Sequence, residues 1–132
     1  MKKFIVLEPT YDYENFGIGG GCPPIETEAG WLLFYHAIEE NDSIKTYHAG
    51  VALLDKNDPK KVIGRLNHPL FSPNEDWEKT GTVNNVVFPT SAILKDGKID
   101  IYYGAADSVI ALKTMELNSI LDELITRNDK NE

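Results

Sequence analysis

Short apolar runs alternate with turns of Gly, Pro, Asn or Asp along most of this chain. Six of these runs have the length and the β-branched or aromatic content that strands require. We predict strands at Trp31–Ile38, Ile44–Leu54, Val62–Leu66, Val83–Leu94, Lys98–Gly104 and Val109–Met115. The clearest hairpin signal is Asp96-Gly97, because both residues tolerate a positive φ. The pattern therefore predicts a β protein in which consecutive strands are antiparallel neighbours.

One segment departs from this pattern. Between Leu117 and Ile125, apolar residues recur three and four positions apart, which is the spacing of one helix face. The stretch from Asn67 to Thr82 shows neither period and is predicted to be a loop. We therefore expect a single short helix at the C-terminal end of a chain of strands.

An internal repeat narrows the choice among a sandwich, a barrel and a propeller. Gly30–Ala37 aligns with Gly97–Gly104, 67 residues later, and each segment is followed by a small-residue strand, Gly50–Asp55 and Ser108–Lys113. Radial repetition of such units builds β-propellers. Chance similarity between two hairpins is the alternative.

Composition excludes several classes of partner. The chain has 132 residues and a net charge of −8, whereas nucleic acids and anionic membranes require clustered Lys and Arg. Its single cysteine, Cys22, cannot form an intrachain disulfide. The apolar run Phe4–Leu7 is too short for a secretory signal, and no run has the length of a membrane span. We expect a cytoplasmic protein that binds neither nucleic acid nor membrane.

The glycine-rich stretch Phe16–Glu28, FGIGGGCPPIETE, precedes the first long strand. It contains neither of the glycine motifs that cradle phosphates. Glycine permits a close approach of the backbone, and the two prolines stiffen the exit. The stretch is predicted to be either a tight turn or a rigid loop against a functional site.

Several segments together resemble the C-terminal part of glycoside hydrolase family 130, which contains β-mannoside phosphorylases and their hydrolytic relatives. They are IGGGCPPIETEAGWLLFYHA, AGVALLDKNDPKKVIGRL, NNVVFPTSAIL and DIYYGAADSVIAL. The resemblance implies a five-bladed β-propeller of more than twice this length, with its active site in the central channel. This chain then corresponds to about two blades, at residues 22–66 and 83–115, followed by the helix at 117–125.

The resemblance also implies sugar-binding residues. Asp107 matches an aspartate that contacts the sugar, and Tyr47 and Phe88 match aromatic positions near the sugar subsites. A turn aspartate that caps its own backbone is the alternative for Asp107. Ordinary strand core is the alternative for the two aromatic residues.

For phosphate, the resemblance implies a lysine before the glycine segment and the histidine of a Tyr-His-Gly motif. The matching positions are Gly17 and His36, so one cationic partner is missing here. Gly19, Gly21 and Pro23 are then expected to form a rigid loop along the channel. Inorganic phosphate is a possible co-substrate, and no other cofactor is expected. No histidines and acidic residues share a metal-ligand spacing.

The family's general acid is an aspartate in the N-terminal half, and no segment here resembles that region. We therefore expect no catalytic residue in this chain, which would supply part of a channel for β-mannoside oligosaccharides without turnover on its own. A catalytically silent sugar-binding or assembly module is the alternative. The expected protein partner is a second copy or a complementary N-terminal propeller half.

Overall fold

This computed structural model describes residues 4–130, which form two antiparallel sheets and two short helices. The first sheet contains β1 (Gly17–Gly20), β2 (Ile25–Thr27), β3 (Gly30–Asn41), β4 (Ile44–Leu54) and β5 (Val62–Arg65). The second sheet contains β6 (Val87–Lys95), β7 (Lys98–Ala105) and β8 (Val109–Glu116). The helices are α1 (Asp76–Lys79) and α2 (Leu117–Lys130). None of the helices in this range has the length and apolar character that a membrane span needs.

Both sheets follow the antiparallel order that the hairpin pattern predicts. In the first sheet β3 pairs with β4, β4 pairs with β5, and β1 and β2 pair with the two ends of β3. In the second sheet the order is β6-β7-β8. Asp96 and Gly97 form the β6–β7 turn with φ of 53° and 75°, as that dipeptide predicts. The all-β antiparallel class is thus confirmed, while the assignment of blades to residues 22–66 and 83–115 stays a prediction.

The core lies between the two sheets. Leu32 and Phe34 of β3 are fully buried and pack in one cluster with Ile99 and Ile101 of β7. Burial of one such side chain typically contributes about 1.5–3 kcal/mol. Leu124 of α2 belongs to the same cluster, so the helix closes one end of the core. The alternation of buried and exposed positions along β7 is what fixes its register.

A buried glutamate anchors the N-terminal segment to β3. Glu14 has no exposed surface and accepts hydrogen bonds from the backbone N–H groups of Thr10 and Tyr11 at 2.8 and 3.2 Å. The hydroxyl of Tyr35 donates to it at 2.6 Å, and Arg65 pairs with it at 2.8 Å. A buried carboxylate requires such partners. We call this arrangement the first Glu–Tyr pair.

The second sheet carries the same arrangement. Glu78 is buried and accepts the backbone N–H groups of Asn74 and Glu75 at 2.8 and 2.9 Å. The hydroxyl of Tyr103 donates to its other oxygen at 2.6 Å. This is the second Glu–Tyr pair, and it orders the stretch from Asn67 to Thr82 that shows no period in the sequence.

The two pairs correct the register of the internal repeat. Tyr35 and Tyr103 occupy equivalent places, so the strands are related by 68 residues rather than by the predicted 67, which matched Tyr35 with Tyr102. The segments that carry the glutamates read Pro-x-x-Asp-aromatic-Glu at Pro9–Glu14 and again at Pro73–Glu78. This second motif is visible in the sequence and supports the repeat.

The expectation of a single helix is wrong, because the predicted loop from Asn67 to Thr82 contains α1. Three boundaries differ from the predictions by more than one residue. Strand β3 continues to Asn41, because the turn at Asp42 and Ser43 needs only two residues, both with positive φ. Strand β6 begins at Val87 rather than Val83. The C-terminal helix extends past Ile125 to Lys130.

Candidate functional site

A cavity of about 360 Å³ opens where the two sheets meet. Its lining includes Tyr47 of β4, Phe88 of β6 and Asp107 in the β7–β8 turn. The remaining lining residues are Val83, Val86, Thr90 and Gly104. The three residues that the resemblance implies for sugar binding are therefore neighbours in space, although they are up to 60 residues apart in the chain.

His36 extends the aromatic side of the cavity. Its ring stacks on Phe88 with ring centres 4.3 Å apart and an angle of 26° between the planes. The centre of the Tyr47 ring lies 5.8 Å from that of His36. Aromatic faces of this kind suit the apolar face of a pyranose, while a few polar groups fix its orientation.

The ring of His36 is held in a partly buried position. Burial lowers its pKa below the ordinary 6.5, and a hydrogen bond to the backbone of Gly20 offsets this only in part. Its Nδ1 atom is buried without a hydrogen-bond partner. The imidazole is therefore neutral at neutral pH and presents little positive charge to an anion.

The glycine segment forms the wall behind His36. Gly19 lies in strand β1, opposite His36, and not in the loop that was predicted for it. A Cβ atom at Gly19 would lie 2.3 Å from the His36 ring, so any other residue at this position would require the ring to move. Gly21 follows β1 and packs against the backbone of Phe34, whereas Pro23 is exposed and does not line the cavity.

The position that matches the family's phosphate-binding lysine is also unusual. Gly17 has a φ of 133°, which side chains rarely adopt. Its backbone conformation, and not only its identity, therefore departs from one that suits a lysine. With His36 neutral, both positions that the resemblance implies for phosphate lack a positive charge at neutral pH.

Asp107 is exposed at the tip of the β7–β8 hairpin. Ala106 and Asp107 have φ of 50° and 51°, and the Ser108 N–H donates to the Ala105 carbonyl at 3.0 Å. A two-residue turn of this type requires positive φ at both central positions. The turn therefore presents the Asp107 side chain at the mouth of the cavity, as its place in the lining shows.

The other two histidines have structural roles. His48 is buried and bonds through its two ring nitrogens to Ser72 at 2.7 Å and to Glu39 at 2.9 Å. His68 contacts Glu123 of α2 at 2.5 Å. Within residues 4–125, whose side chains the structure describes, no three His, Cys, Asp or Glu side chains are grouped so that they can hold a metal ion.

The sequence did not identify the residues that line the cavity but have no charged or hydrogen-bonding side chain. Gly104 has open space where a Cβ atom would stand, and Val83 and Val86 come from a segment predicted to be part of a strand. The double asparagine at Asn84 and Asn85 is the signal for a break there, and Asn85 has a φ of 61°.

The family is settled by comparison with known proteins. A model of glycoside hydrolase family 130, described as β-1,4-mannooligosaccharide phosphorylase, matches residues 1–126. The chain belongs to this family. The 1,2-β-oligomannan phosphorylase of Thermoanaerobacter sp. (strain X514) is 43% identical over 118 residues, which are 87% of this chain and 38% of that protein.

A second relative and a solved structure agree. The β-1,2-mannobiose phosphorylase of Listeria innocua serovar 6a (strain ATCC BAA-680 / CLIP 11262) is 44% identical over 114 residues, covering 86% of this chain and 31% of that protein. A solved complex of a Listeria innocua β-1,2-mannobiose phosphorylase with β-1,2-mannobiose superimposes with a TM-score of 0.79 at 41% identity, covering 86% of this chain and 31% of that one. This glycoside hydrolase family 130 chain thus spans about a third of the length of these relatives.

Proposed function

We propose that this chain supplies part of the sugar-binding channel of a β-mannoside phosphorylase or glycosidase, and that its cavity holds a mannosyl unit. The observation that carries the proposal is the cavity itself, since Tyr47, Phe88 and Asp107 line it together. Stacked aromatic rings on one side and a carboxylate at the mouth match the apolar and hydroxyl-bearing faces of a pyranose. Relatives named as mannobiose and oligomannan phosphorylases support the choice of sugar.

Binding by the chain tests this proposal directly. β-1,2-Mannobiose and β-1,4-mannobiose are titrated into the chain by calorimetry, with cellobiose as the comparison sugar. The Asp107→Asn variant is expected to weaken mannobiose binding about tenfold or more. Asp42→Asn is the matched control, because Asp42 also lies in a hairpin turn with a φ of 51°. Equal affinity of Asp107→Asn and the wild type contradicts the role of Asp107.

The chain alone is not expected to turn over sugar. Glycoside hydrolysis ordinarily uses two carboxyl groups, and Asp107 is the one carboxylate among the described residues that line the cavity. The same observation favours the second candidate, a sugar-binding module without catalysis. An assay of the chain on mannobiose, with and without phosphate, tests both. Release of mannose or mannose 1-phosphate contradicts the expectation.

If a complementary half completes the site, water is the expected nucleophile rather than phosphate. The support is the neutral His36 and the glycine at position 17, since a phosphate dianion requires concentrated positive charge. Inorganic phosphate thus remains a possible co-substrate that this chain does little to anchor. Strict phosphate dependence of a reconstituted pair contradicts this part of the proposal.

The two sheets are proposed to be two blades of a propeller that another sheet extends. In the first sheet, the face that carries Phe34 is buried against the second sheet. By the 68-residue repeat, Tyr102 is the equivalent of Phe34, yet its face is exposed together with Ile93, Ile110 and Leu112. An uncovered apolar sheet face of this kind favours association.

The proposed partner for that face is a second copy or a complementary N-terminal half. Light scattering of the chain over a range of concentrations, and again with the N-terminal part of a relative, measures this. Association that is lost in Ile110→Lys supports the proposal, whereas a monomer under both conditions contradicts it.

The proposed location is the cytoplasm. Cys22 is a free, buried thiol, and burial raises its pKa to about 11. A thiol of this kind stays reduced in the cytoplasm.

A further inference from the structure

The turn that carries Asp107 holds an unfavourable backbone. Ala106 has a φ of 50°, a left-handed conformation that is unfavourable for most L-residues. Unlike the Asp-Gly turn between β6 and β7, this one places an alanine where glycine or asparagine is preferred. Such conformations persist where the surroundings determine them. The contacts around Ala106 and Asp107 therefore decide where the Asp107 carboxylate stands.

Ser108 makes the densest set of these contacts. Its Oγ accepts the backbone N–H of Thr82 at 2.8 Å. The Ala106 carbonyl, at 3.0 Å, and the Thr82 hydroxyl oxygen, at 3.1 Å, are the two acceptors within reach of its proton. One hydroxyl therefore contacts a central residue of the turn and also ties the turn to the neighbouring chain segment.

That neighbouring segment, residues 81–86, fits closely against the turn. The Val83 N–H donates to the Ala106 carbonyl at 3.0 Å, and the Ala106 N–H donates to the Val86 carbonyl at 2.9 Å. A Cβ atom at Gly81 would lie 2.6 Å from the Ser108 Oγ and 2.7 Å from the Ala106 Cβ. The close approach between the 81–86 segment and the turn therefore requires glycine at position 81.

The 81–86 segment also contacts the opposite wall of the cavity. The backbone N–H of Tyr47 donates to the Asn85 carbonyl at 2.9 Å, and Tyr47 and Val86 form a parallel bridge. The same short segment is thus bonded to the strand of Tyr47 and to the turn of Asp107. It sets the distance between an aromatic wall on the first sheet and a carboxylate on the second.

We propose that Ser108 is a positioning residue, which holds the Asp107 turn against the 81–86 segment and thereby fixes the Asp107 carboxylate relative to Tyr47 for sugar binding. This inference rests on the proposed function, because it needs a sugar in the cavity. Ser108 is not among the residues that line the cavity. It acts through the backbone of Ala106 and Asp107.

The experiment compares the affinity of the full chain for β-1,2-mannobiose with its melting temperature in four variants. Ser108→Ala is expected to raise the Kd about tenfold. Ser108→Thr keeps the hydroxyl at an exposed position, so the Kd is expected within about twofold of the wild type. Gly81→Ala pushes the segment off the turn and is expected to weaken binding like Ser108→Ala. Ser43→Ala is the control, a serine in the β3–β4 turn far along the chain.

The outcomes separate the two proposals. A wild-type chain that binds no mannobiose overturns the proposed function and this inference with it. A wild-type chain that binds, together with unchanged affinity in Ser108→Ala or in Gly81→Ala, overturns this inference alone. Failure of Ser108→Thr to restore the affinity also overturns it. If Ser108→Ala does not fold, the affinity of Gly81→Ala decides.

Discussion

The two sheets repeat one framework and use it differently at the cavity. Tyr35-His36-Ala37 on β3 and Tyr103-Gly104-Ala105 on β7 each place a buried tyrosine on a buried glutamate. The residue after the tyrosine points the other way, as alternation along a strand requires. In the first sheet it is His36, which stacks against Phe88, and in the second it is Gly104, which leaves open space in the lining. The repeated Glu–Tyr pair fixes the same strand position in both sheets. The residue after the tyrosine then determines whether a side chain or open space lies at the cavity.

The Glu–Tyr pairs also differ in charge. Glu14 faces Arg65, whose side chain is 14% exposed, whereas hydrogen-bond donors of Glu78 are the Tyr103 hydroxyl and two backbone N–H groups. Burial acts to raise the pKa of Glu78, yet the hydrogen bonds from these donors, together with the charge of Lys113, lower it below its ordinary 4.5. A guanidinium is therefore not required to hold a buried carboxylate in this framework. The guanidinium of Arg65 is itself a partly buried charge, and it depends on the Glu14 carboxylate for its ion pair.

The largest expected effect is the loss of charge at Glu14. Glu14→Gln leaves the Arg65 guanidinium partly buried without its anion, and breaking such a pair typically costs about 3–5 kcal/mol. Glu78→Gln removes no ion pair and is expected to cost about 1–3 kcal/mol. Urea denaturation of both variants measures the difference. Equal losses in the free energy of unfolding would show that Arg65 plays no special part.

The second-largest expected effect is the loss of a tyrosine hydroxyl. Tyr35→Phe and Tyr103→Phe each remove a hydrogen bond to a buried carboxylate, with an expected cost of about 1.5–3 kcal/mol. Tyr102→Phe is the control, because Tyr102 is exposed and a surface change is usually within about 0.5 kcal/mol. The same urea measurement serves here. A larger loss for Tyr102→Phe than for Tyr103→Phe would restore the 67-residue register.

A third expected effect concerns the space at Gly104. Gly104→Leu fills that space, so the affinity for mannobiose is expected to fall about tenfold, or about 1.4 kcal/mol, with little change in melting temperature. Gly20→Leu is the matched control, a strand glycine that also has open space beside it but does not line the cavity. Calorimetry on the two variants distinguishes them. Undiminished affinity in Gly104→Leu would exclude this part of the cavity from the sugar site.

The smallest expected effect is a pH dependence from Glu78. Its pKa is lower in the folded than in the unfolded chain, so the stability it contributes is present above about pH 4.5 and is lost as the pH falls through the folded value. The free-energy difference between the wild type and Glu78→Gln is therefore expected to shrink between about pH 6 and pH 3.5. Urea denaturation at several pH values measures it. A difference that grows on acidification would contradict the lowered pKa.

Local signals explain which elements the sequence analysis located. Asp96-Gly97 has the residue types its turn demands, and the apolar residues of Leu117–Ile125 have helical spacing, so both predictions agree with the fold. The stretch from Asn67 to Thr82 has no helical or strand period, because its order comes from the hydrogen bond between Glu78 and a tyrosine 25 residues away. Contacts of that range leave no period in the sequence.

In the candidate site, too, the sequence identified individual residues but did not predict how they pack together. Asp107, Tyr47 and Phe88 were named through the resemblance to the family, and their common cavity depends on the packing of two sheets. The glycine segment was misread as a loop because glycine has little strand preference, yet in this structure the ring of His36 occupies the space where a side chain at position 19 would begin. A left-handed alanine at position 106 carries no sequence signal at all.

The central claim is that the cavity between the two sheets binds a β-mannoside. A titration of the ¹⁵N-labelled chain with β-1,2-mannobiose, followed by amide chemical shifts, tests it most directly. The account predicts saturable shifts concentrated at Tyr47, Phe88 and Asp107, with none at Asp42 in the β3–β4 turn, which does not line the cavity. Absence of saturable shifts, or shifts confined to residues outside the cavity, would contradict it.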